Sequence, residues 1–318
     1  MPLFPPTSKD SAIKYVAGTQ GKDGGYLFYQ YVDAFESAID DTFYALSVFK
    51  LLEVEPSRIE LTLKFLRSKV ANLSLYISYY SLNALEILGT MLKMPRETLD
   101  FVYSLKEDQG ILGKLKKHRA IGKNDIRRNE EISQYYESNE IFEIELRPEL
   151  ELAFMILDCH RKLGFKISEK ERQEWSKAVL NYLRPDGGFG SGISDIHSTC
   201  YAIKILNILE YPTEDLSNAT EWILGLEDSN GGFNITHESR FRTVEYTYEA
   251  VEALRLLKGR PKRPTINADF LLQCQNANGG FRRSFFVGIS TLKDTFQAVA
   301  AVESLLGHDG GQTIWKAS

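Results

Sequence analysis

The sequence predicts an all-α protein of repeated helix pairs, and three observations support this fold class. A Gly-Gly-aromatic turn recurs four times, at residues 24–26, 187–189, 231–233 and 279–281. Each turn is followed by an apolar helical segment with a shared alanine and a leucine seven residues after it. More polar, amphipathic helical segments alternate with these apolar ones. A repeat of this kind is typical of architectures in which helix pairs pack against one another.

The apolar segments carry small and apolar residues on most sides, which indicates inner helices buried on more than one face. These inner helices are expected at about residues 34–52, 75–92, 147–163, 195–210, 243–258 and 290–306. The amphipathic outer helices are expected at about 8–20, 57–71, 96–106, 168–184, 215–227 and 265–275. Twelve such helices can close into a ring or stack as an open solenoid, and periodicity alone does not separate the two.

The composition is that of a globular protein, with 318 residues, 43% hydrophobic and 25% charged residues, and a net charge of −5. No apolar run is long enough for a transmembrane helix, and the first residues lack the pattern of a secretory signal. The three cysteines, Cys159, Cys200 and Cys274, form neither a disulfide framework nor a Cys-x-x-Cys zinc motif. We therefore expect a cytoplasmic protein that does not bind nucleic acid.

One segment interrupts the repeat, an insertion at about residues 113–139 before the third inner helix. Its first part is rich in lysine and arginine. Long inserted loops serve as lids or partner sites, but a solvated loop is at least as common. The charge favours an anionic ligand or a protein partner, whereas no motif supports nucleic acid.

Aligning the repeats on the shared alanine identifies a set of candidate ligand-binding residues. The residues five positions before the alanine are Asp40, His197, Glu245 and Lys293. One turn further along, the same helices carry the aromatic residues Tyr44, Tyr248 and Phe296. In a closed ring these positions converge as a polar rim above an aromatic wall, which suits an amphipathic ligand. The alternative is that the aromatic residues only pack in the core and the polar residues only cap the N-termini of the helices.

Gly-Gly-Phe turns that lead into buried inner helices resemble the repeats of the protein prenyltransferase β subunit and terpene (squalene-type) cyclase superfamily. The resemblance covers essentially the whole chain, residues 1–318, and implies a single (α/α)6 toroid. It implies isoprenoid chemistry less specifically, because the superfamily includes zinc transferases, cyclases and non-enzymatic modules.

The resemblance also bears on metals. In the transferases, zinc is held by an Asp-x-Cys pair and a histidine of the next repeat, and here those positions are Tyr246, Tyr248 and Asp294. Tyrosine is a poor zinc ligand beside cysteine or histidine. Cys200 occupies the cysteine position of an earlier repeat, with Ser198 as its partner. A catalytic zinc is therefore not expected.

The transferases bind prenyl diphosphate through basic residues at the same rim. Arg240 and His197 fall where the resemblance places two arginines, and Arg242 and Lys293 add positive charge nearby. Guanidinium groups suit phosphate oxygens. Thr243 stands where a lysine is expected, and solvent-exposed loop charge is the alternative interpretation. Magnesium could accompany a diphosphate, although no motif requires it.

Residues 38–42 resemble the Asp-x-Asp-Asp-Thr motif of class II terpene cyclases, whose middle Asp protonates the substrate. Asp40 would be that acid, with Asp41 or Glu36 keeping its carboxyl protonated. The first Asp of the motif is Ala38 here, and part of the match belongs to the repeat itself. Asp40 and Asp41 are nevertheless the catalytic candidates.

The sequence therefore predicts an isoprenoid-processing toroid that binds a prenyl chain or prenyl diphosphate without zinc. The alternatives are a non-catalytic binding or assembly module, and a β-type subunit of a protein prenyltransferase, which needs a helical partner chain.

Overall fold

Helices alternate along the part of the chain that the structure, a computed structural model, describes: residues 4–27, 37–70, 72–90, 96–105, 111–117 and 148–307. They are α1 (Pro6–Gly18), α2 (Ile39–Leu51), α3 (Ile59–Lys69), α4 (Leu75–Ile87), α5 (Arg96–Ser104), α6 (Ile111–Lys117), α7 (Glu149–Lys162), α8 (Glu169–Leu180), α9 (Ile196–Ile208), α10 (Ser217–Gly225), α11 (Val244–Leu256), α12 (Pro264–Gln273) and α13 (Leu292–Leu306). A 3₁₀ turn at Thr213–Leu216 precedes α10. Two short antiparallel strands, β1 (Phe281–Arg282) and β2 (Ser290–Thr291), pair Phe281 with Thr291.

Six of these helices form a closed inner ring. α2, α4, α7, α9, α11 and α13 each pack against the next, and α13 packs against α2. The ring rules out the open solenoid. α1, α3, α5, α8, α10 and α12 pack outside it, each against the inner helix that follows it. The arrangement is the expected (α/α)6 toroid, with all twelve helices where the repeats predict them.

The insertion begins differently from the expectation. Residues 113–117 belong to α6, an additional helix that packs against α7 and α8. The remainder of the predicted insertion, 118–139, lies outside the described residues, as does Glu36. Within the described residues, no helix is long and apolar enough to span a bilayer.

Burial differs between the two layers as the repeat pattern predicts. In α2, ten of thirteen residues are buried. In the outer helix α8, burial is confined to four of twelve residues. The shared alanines Ala45, Ala202, Ala250 and Ala298 are fully buried. Inner helices are thus packed on several sides, against the outer layer and against each other.

A threonine fastens each Gly-Gly-aromatic turn to the start of its inner helix. The N–H groups of Tyr26, Phe189, Phe233 and Phe281 donate to the Oγ1 atoms of Thr42, Thr199, Thr247 and Thr295 at 3.0–3.2 Å. Each hydroxyl in turn donates to the carbonyl four residues earlier, at 2.6–2.7 Å. Both groups are buried, so the threonine satisfies a turn donor that has no water partner.

The first glycine of each turn has a positive φ, a backbone conformation that other residues adopt only with strain. Gly187 has φ +95°, and a Cβ at this position would lie 2.6 Å from the carbonyl oxygen of Asn218. The glycine therefore lets the turn lie directly against the next outer helix, α10.

We expect Thr247→Val to destabilise the protein by about 1–3 kcal/mol, because it leaves the buried Phe233 N–H without an acceptor. Thr247→Ser should restore most of the lost stability. Ser78 occupies the same position in α4, and its buried hydroxyl has no hydrogen-bond partner among the described residues. Ser78→Ala is thus the matched control, and urea unfolding measures all three. An equal loss in Thr247→Val and Ser78→Ala would contradict the role of the threonine.

Candidate ligand cavity

A cavity of about 690 Å³ lies inside the ring and is lined by residues from all six inner helices. On α9 the lining runs from His197, in the first turn, to Ile208 at the end of the helix. On α11 it runs from Glu245 to Leu256. Sites for small organic molecules have volumes of about 300–1,000 Å³. The cavity is therefore large enough for a ligand and follows most of the length of the barrel.

Seven of the ten predicted site residues line this cavity. They are Asp40, Tyr44, His197, Glu245, Tyr248, Lys293 and Phe296. The structure brings them together because equivalent positions of a closed ring face the same axis. Asp41, Arg240 and Arg242 are not part of the lining.

The middle of the cavity is aromatic. The rings of Tyr44 and Phe296 stack with centroids 5.7 Å apart, and Tyr248 meets Phe296 edge to face at 5.6 Å. The hydroxyls of Tyr44 and Tyr80 lie 3.0 Å apart and share a hydrogen bond. Phe154 on α7 and Tyr201 on α9 also line this part of the cavity, and we call the six rings together the aromatic belt. Such a belt offers apolar ring faces to a hydrocarbon or to a cation.

Ion pairs occupy the rim at the N-terminal ends of the inner helices. Lys293 Nζ lies 2.6 Å from Glu245 Oε1. Burial alone would raise the pKa of Glu245, but the positive charge of Lys293 outweighs it and lowers that pKa. Conversely, burial lowers the pKa of Lys293 and Glu245 more than compensates, so the pKa of Lys293 is raised. The pair is charged on both sides.

His197 lies between two carboxylates from neighbouring helices. Its Nδ1 is 2.7 Å from Glu249 Oε1, and its Nε2 is 3.8 Å from Glu151 Oε2. Burial alone would lower the pKa of His197, but the hydrogen bonds and charges of Glu151 and Glu249 raise it to about 10. His197 is therefore an imidazolium at neutral pH. The other oxygen of Glu249, Oε2, is buried and has no hydrogen-bond partner among the described residues.

The alanine alignment misses Glu151, although the sequence carries a signal for it. Helix α7 has Ile156 where the other repeats have alanine, but Leu163 keeps the seven-residue spacing. Alignment on that leucine places Glu151 in the same column as Asp40 and His197. The residue lines the rim as that column predicts.

A second charged layer, which the sequence analysis does not anticipate, lies at the C-terminal ends of the inner helices. Arg255 makes hydrogen bonds of 3.3 and 3.0 Å to the two oxygens of Glu252. Arg161 lies 2.9 Å from Asp158. These residues line the cavity because they lie seven to ten residues beyond the rim on the same inward faces.

Lys204 projects into the cavity between the aromatic belt and this second layer. Its Nζ lies 5.4, 5.1 and 5.6 Å from the ring centroids of Phe154, Tyr201 and Tyr248. All three distances are within the range of cation–π attraction. Lys204 thus places a positive charge among the rings.

The structure corrects the expected placement of Arg240 and Arg242. Arg242 Nη1 lies 3.2 Å from Asp228 Oδ1, and the guanidinium stacks over Phe270 of the outer helix α12. Arg240 is exposed in the loop before α11. Residue 242 bridges to Asn234 in the preceding turn, which holds Arg242 beside that turn and away from the cavity, and Arg240 does not line the cavity either.

Asp41 is likewise displaced from the expected acid pair. It follows Asp40 on α2, and successive helical residues point about 100° apart. Asp41 is 8% exposed, and its negative charge adds to the burial that raises the pKa of Tyr15, on α1, to about 12. It therefore lies on the outer side of α2, toward α1.

The residues at the transferase zinc positions do not fit a zinc site. Tyr248 packs in the aromatic belt, whereas Asp294 accepts a hydrogen bond from Thr291 and does not line the cavity. Burial raises the pKa of the Cys200 thiol to about 12 in the metal-free protein. Within the described residues, no group of three or more His, Cys, Asp or Glu is arranged around a common metal position.

The family comparison agrees with this architecture. The family described as "Prenyltransferase alpha-alpha toroid domain" matches residues 60–136 and 137–312, well over half of the chain. The chain belongs to this family. No curated protein matches the chain.

Two solved structures show the same toroid fold. Candida albicans protein geranylgeranyltransferase-I, complexed with GGPP, is similar with a TM-score of 0.57 at 18% identity, over 93% of this chain and 90% of that one. A variant of the type II terpene cyclase MstE from Scytonema, in complex with geranylgeranyl dihydroxybenzoate, has a TM-score of 0.55 at 12% identity, over 94% and 96%. At these identities the likeness concerns the fold alone.

We expect His197→Gln to destabilise the protein by at least about 2 kcal/mol at pH 6, because it leaves two buried carboxylates without their cation. The folded-state pKa of about 10 exceeds the unfolded value of 6.5. The stabilisation by His197 is therefore complete below about pH 6.5 and is lost as the pH rises towards 10. Urea unfolding of both proteins at pH 6 and pH 10 measures the difference, and equal destabilisation at both pH values would contradict the charged state of His197.

Proposed function

We propose that this toroid binds an isoprenoid in its central cavity, with the prenyl chain along the aromatic belt and a polar or ionised group at one end. The observation that carries the proposal is the open cavity of about 690 Å³, in which aromatic side chains separate two charged layers. The two similar proteins, which are complexed with GGPP and with geranylgeranyl dihydroxybenzoate, support this ligand class.

The layered polarity selects among hydrophobic ligands. A ligand without a polar group would leave one charged layer facing hydrocarbon, which is costly. An entirely polar ligand would forgo contact with the rings of Tyr44, Tyr80, Tyr248 and Phe296. An amphipathic molecule with a long unsaturated chain matches both parts of the lining.

The open cavity also bears on the alternative functions. A toroid that serves only as an assembly module needs no internal space, and its barrel would be filled by side chains. A β-type prenyltransferase subunit requires a partner chain and a metal, and the residues at the zinc positions do not fit one. Isoprenoid binding without zinc accounts for the cavity and needs neither a partner chain nor a metal.

The proposal predicts that Met155→Trp abolishes binding of C15 and C20 isoprenoid alcohols. Met155 is 2% exposed and lines the cavity on α7, so a larger side chain there fills the space of the chain. Isothermal titration calorimetry with and without magnesium measures the affinity. Trp175→Phe on the outer helix α8 is a control for altered packing outside the cavity. Unchanged isoprenoid affinity in Met155→Trp would contradict the cavity as the site.

A second candidate is a cyclisation initiated by protonation at Asp40. The observation that favours it is the position of Asp40, which lines the cavity one turn before Tyr44. A carbocation formed there would meet ring faces. Asp41 does not line the cavity with Asp40, and Glu36, the other expected partner, lies outside the described residues.

Mass spectrometry of products from C10 to C30 isoprenoids and their diphosphates tests this candidate. Cyclisation at Asp40 predicts a product that keeps its diphosphate and disappears in Asp40→Asn, because the amide cannot donate the initiating proton. Release of pyrophosphate that is insensitive to the substitution would indicate transferase-like chemistry instead. Absence of turnover, with isoprenoid binding retained, would leave binding as the function.

A further inference from the structure

The two ends of the cavity carry opposite excesses of charge. At the N-terminal ends of the inner helices, His197 and Lys293 face four acidic residues, Asp40, Glu151, Glu245 and Glu249. At the other end three acidic residues line the cavity, Asp158, Glu210 and Glu252, against five basic residues, Arg161, Lys166, Arg172, Lys204 and Arg255. This distribution places acids near helix N-termini and bases near C-termini, where the helix dipoles favour them. The excess of basic side chains at the C-terminal end offsets the partial negative charge of the helix C-termini and supplies the cations that an anionic ligand group could contact.

Lys204 differs from most of the other cations of the lining. His197, Lys293, Arg161, Arg172 and Arg255 each have a carboxylate within 4 Å. Among the described residues, no carboxylate lies within that distance of Lys204. Its charge is therefore not cancelled by a direct ion pair, although the side chain is half-buried in the barrel.

The surroundings of Lys204 favour its charged form, and the side-chain hydrogen-bond partner they give it is the sulfur of Cys200 rather than an oxygen. Burial alone would lower the pKa of its ammonium, but the nearby acidic groups Cys200, Tyr248, Glu252 and Glu249 raise that pKa above its ordinary value. Cys200 and Tyr248 are neutral at neutral pH, so the carboxylates Glu252 and Glu249 favour the ammonium there. The ring faces around Nζ attract the cation. They do not supply the oxygen acceptors that the three N–H donors of an ammonium prefer.

We propose that Lys204 binds the anionic head of the isoprenoid, a carboxylate or a phosphate, so that the prenyl chain extends towards the N-terminal rim. The proposal rests on the isoprenoid function proposed above and adds the position of the head group and the orientation of the ligand. His197 and Lys204 are seven residues apart on α9, so the head lies about 10 Å from the rim along the barrel.

The rim offers a poorer site for the same head. Lys293 is neutralised by Glu245, and His197 is shared by two carboxylates. Arg240 and Arg242, which the sequence analysis assigns to this head group, lie outside the cavity. A phosphate at the rim would thus approach Asp40 without an unpaired cation among the described residues that line this end.

The test compares three C15 isoprenoids that share one chain and differ in the head: farnesol, farnesoic acid and farnesyl diphosphate. Affinities are measured by calorimetry for the wild-type chain and for Lys204→Met, which keeps the length of the side chain and removes the charge. Lys204→Arg restores the charge, and Lys293→Met removes the cation of the rim instead. Lys64→Met, on the exposed face of α3, controls for loss of a surface charge. Circular dichroism confirms that each variant is folded.

We expect the wild-type chain to bind one or both anionic ligands about tenfold or more tightly than farnesol, and Lys204→Met to lose that preference. Lys204→Arg should retain the preference. The acid and diphosphate arms distinguish a carboxylate head from a phosphate head. Loss of the preference in Lys293→Met but not in Lys204→Met would overturn the orientation. Farnesol binding without any preference would overturn the head site alone, whereas no binding of any ligand would overturn the proposed function with it.

Discussion

The hydrogen bond from each aromatic turn residue to the threonine of its inner helix is the interaction that aligns four of the six inner helices. It sets where the inner helix begins relative to the outer helix before it. Four equivalent bonds of 3.0–3.2 Å therefore bring four helices to the same depth in the ring. The cavity follows from that common depth, because residues five positions before each shared alanine then lie on one level. A displacement of one residue along a helix would turn those side chains by about 100°.

The closed ring encloses charged side chains, and most of those that line the cavity form ion pairs. Charged side chains that face an enclosed space lose hydration, which is costly unless a partner compensates. The pairs Lys293–Glu245, Arg255–Glu252 and Arg161–Asp158 supply that compensation. Because α9 and α11 are neighbours in the ring, His197 also pairs with Glu249 on the adjacent helix. The barrel can therefore stay open and polar at both ends without a filled core.

Most of the fold was predictable, because the glycine turns and the alanine–leucine spacing report packing that every repeat shares. The N-terminal rim was predictable for the same reason, as Asp40, Glu245 and Lys293 show. Ring closure was not, since the contact of α13 with α2 joins the two ends of the repeat array. The orientation of Arg242 was also not predictable, because its partner Asp228 is an acid in this repeat alone, whereas the equivalent turn positions hold Gly21, Arg184 and Asn276. The C-terminal charged layer was not predicted either, because the aligned repeats indicate only aromatic residues below the rim.

Lys204 also separates the two chemical functions that the cavity suggests. Rings that surround a carbocation stabilise it through their negative faces, and here the faces of Phe154, Tyr201 and Tyr248 already hold an ammonium. A carbocation formed against the same rings would be repelled by that charge, and the repulsion is strong in a poorly solvated cavity. The same ammonium attracts an anionic head. Under the proposed function, the position of Lys204 therefore favours binding of an anionic isoprenoid over its cyclisation, and protonation at Asp40 would be limited to the part of the chain nearest the rim.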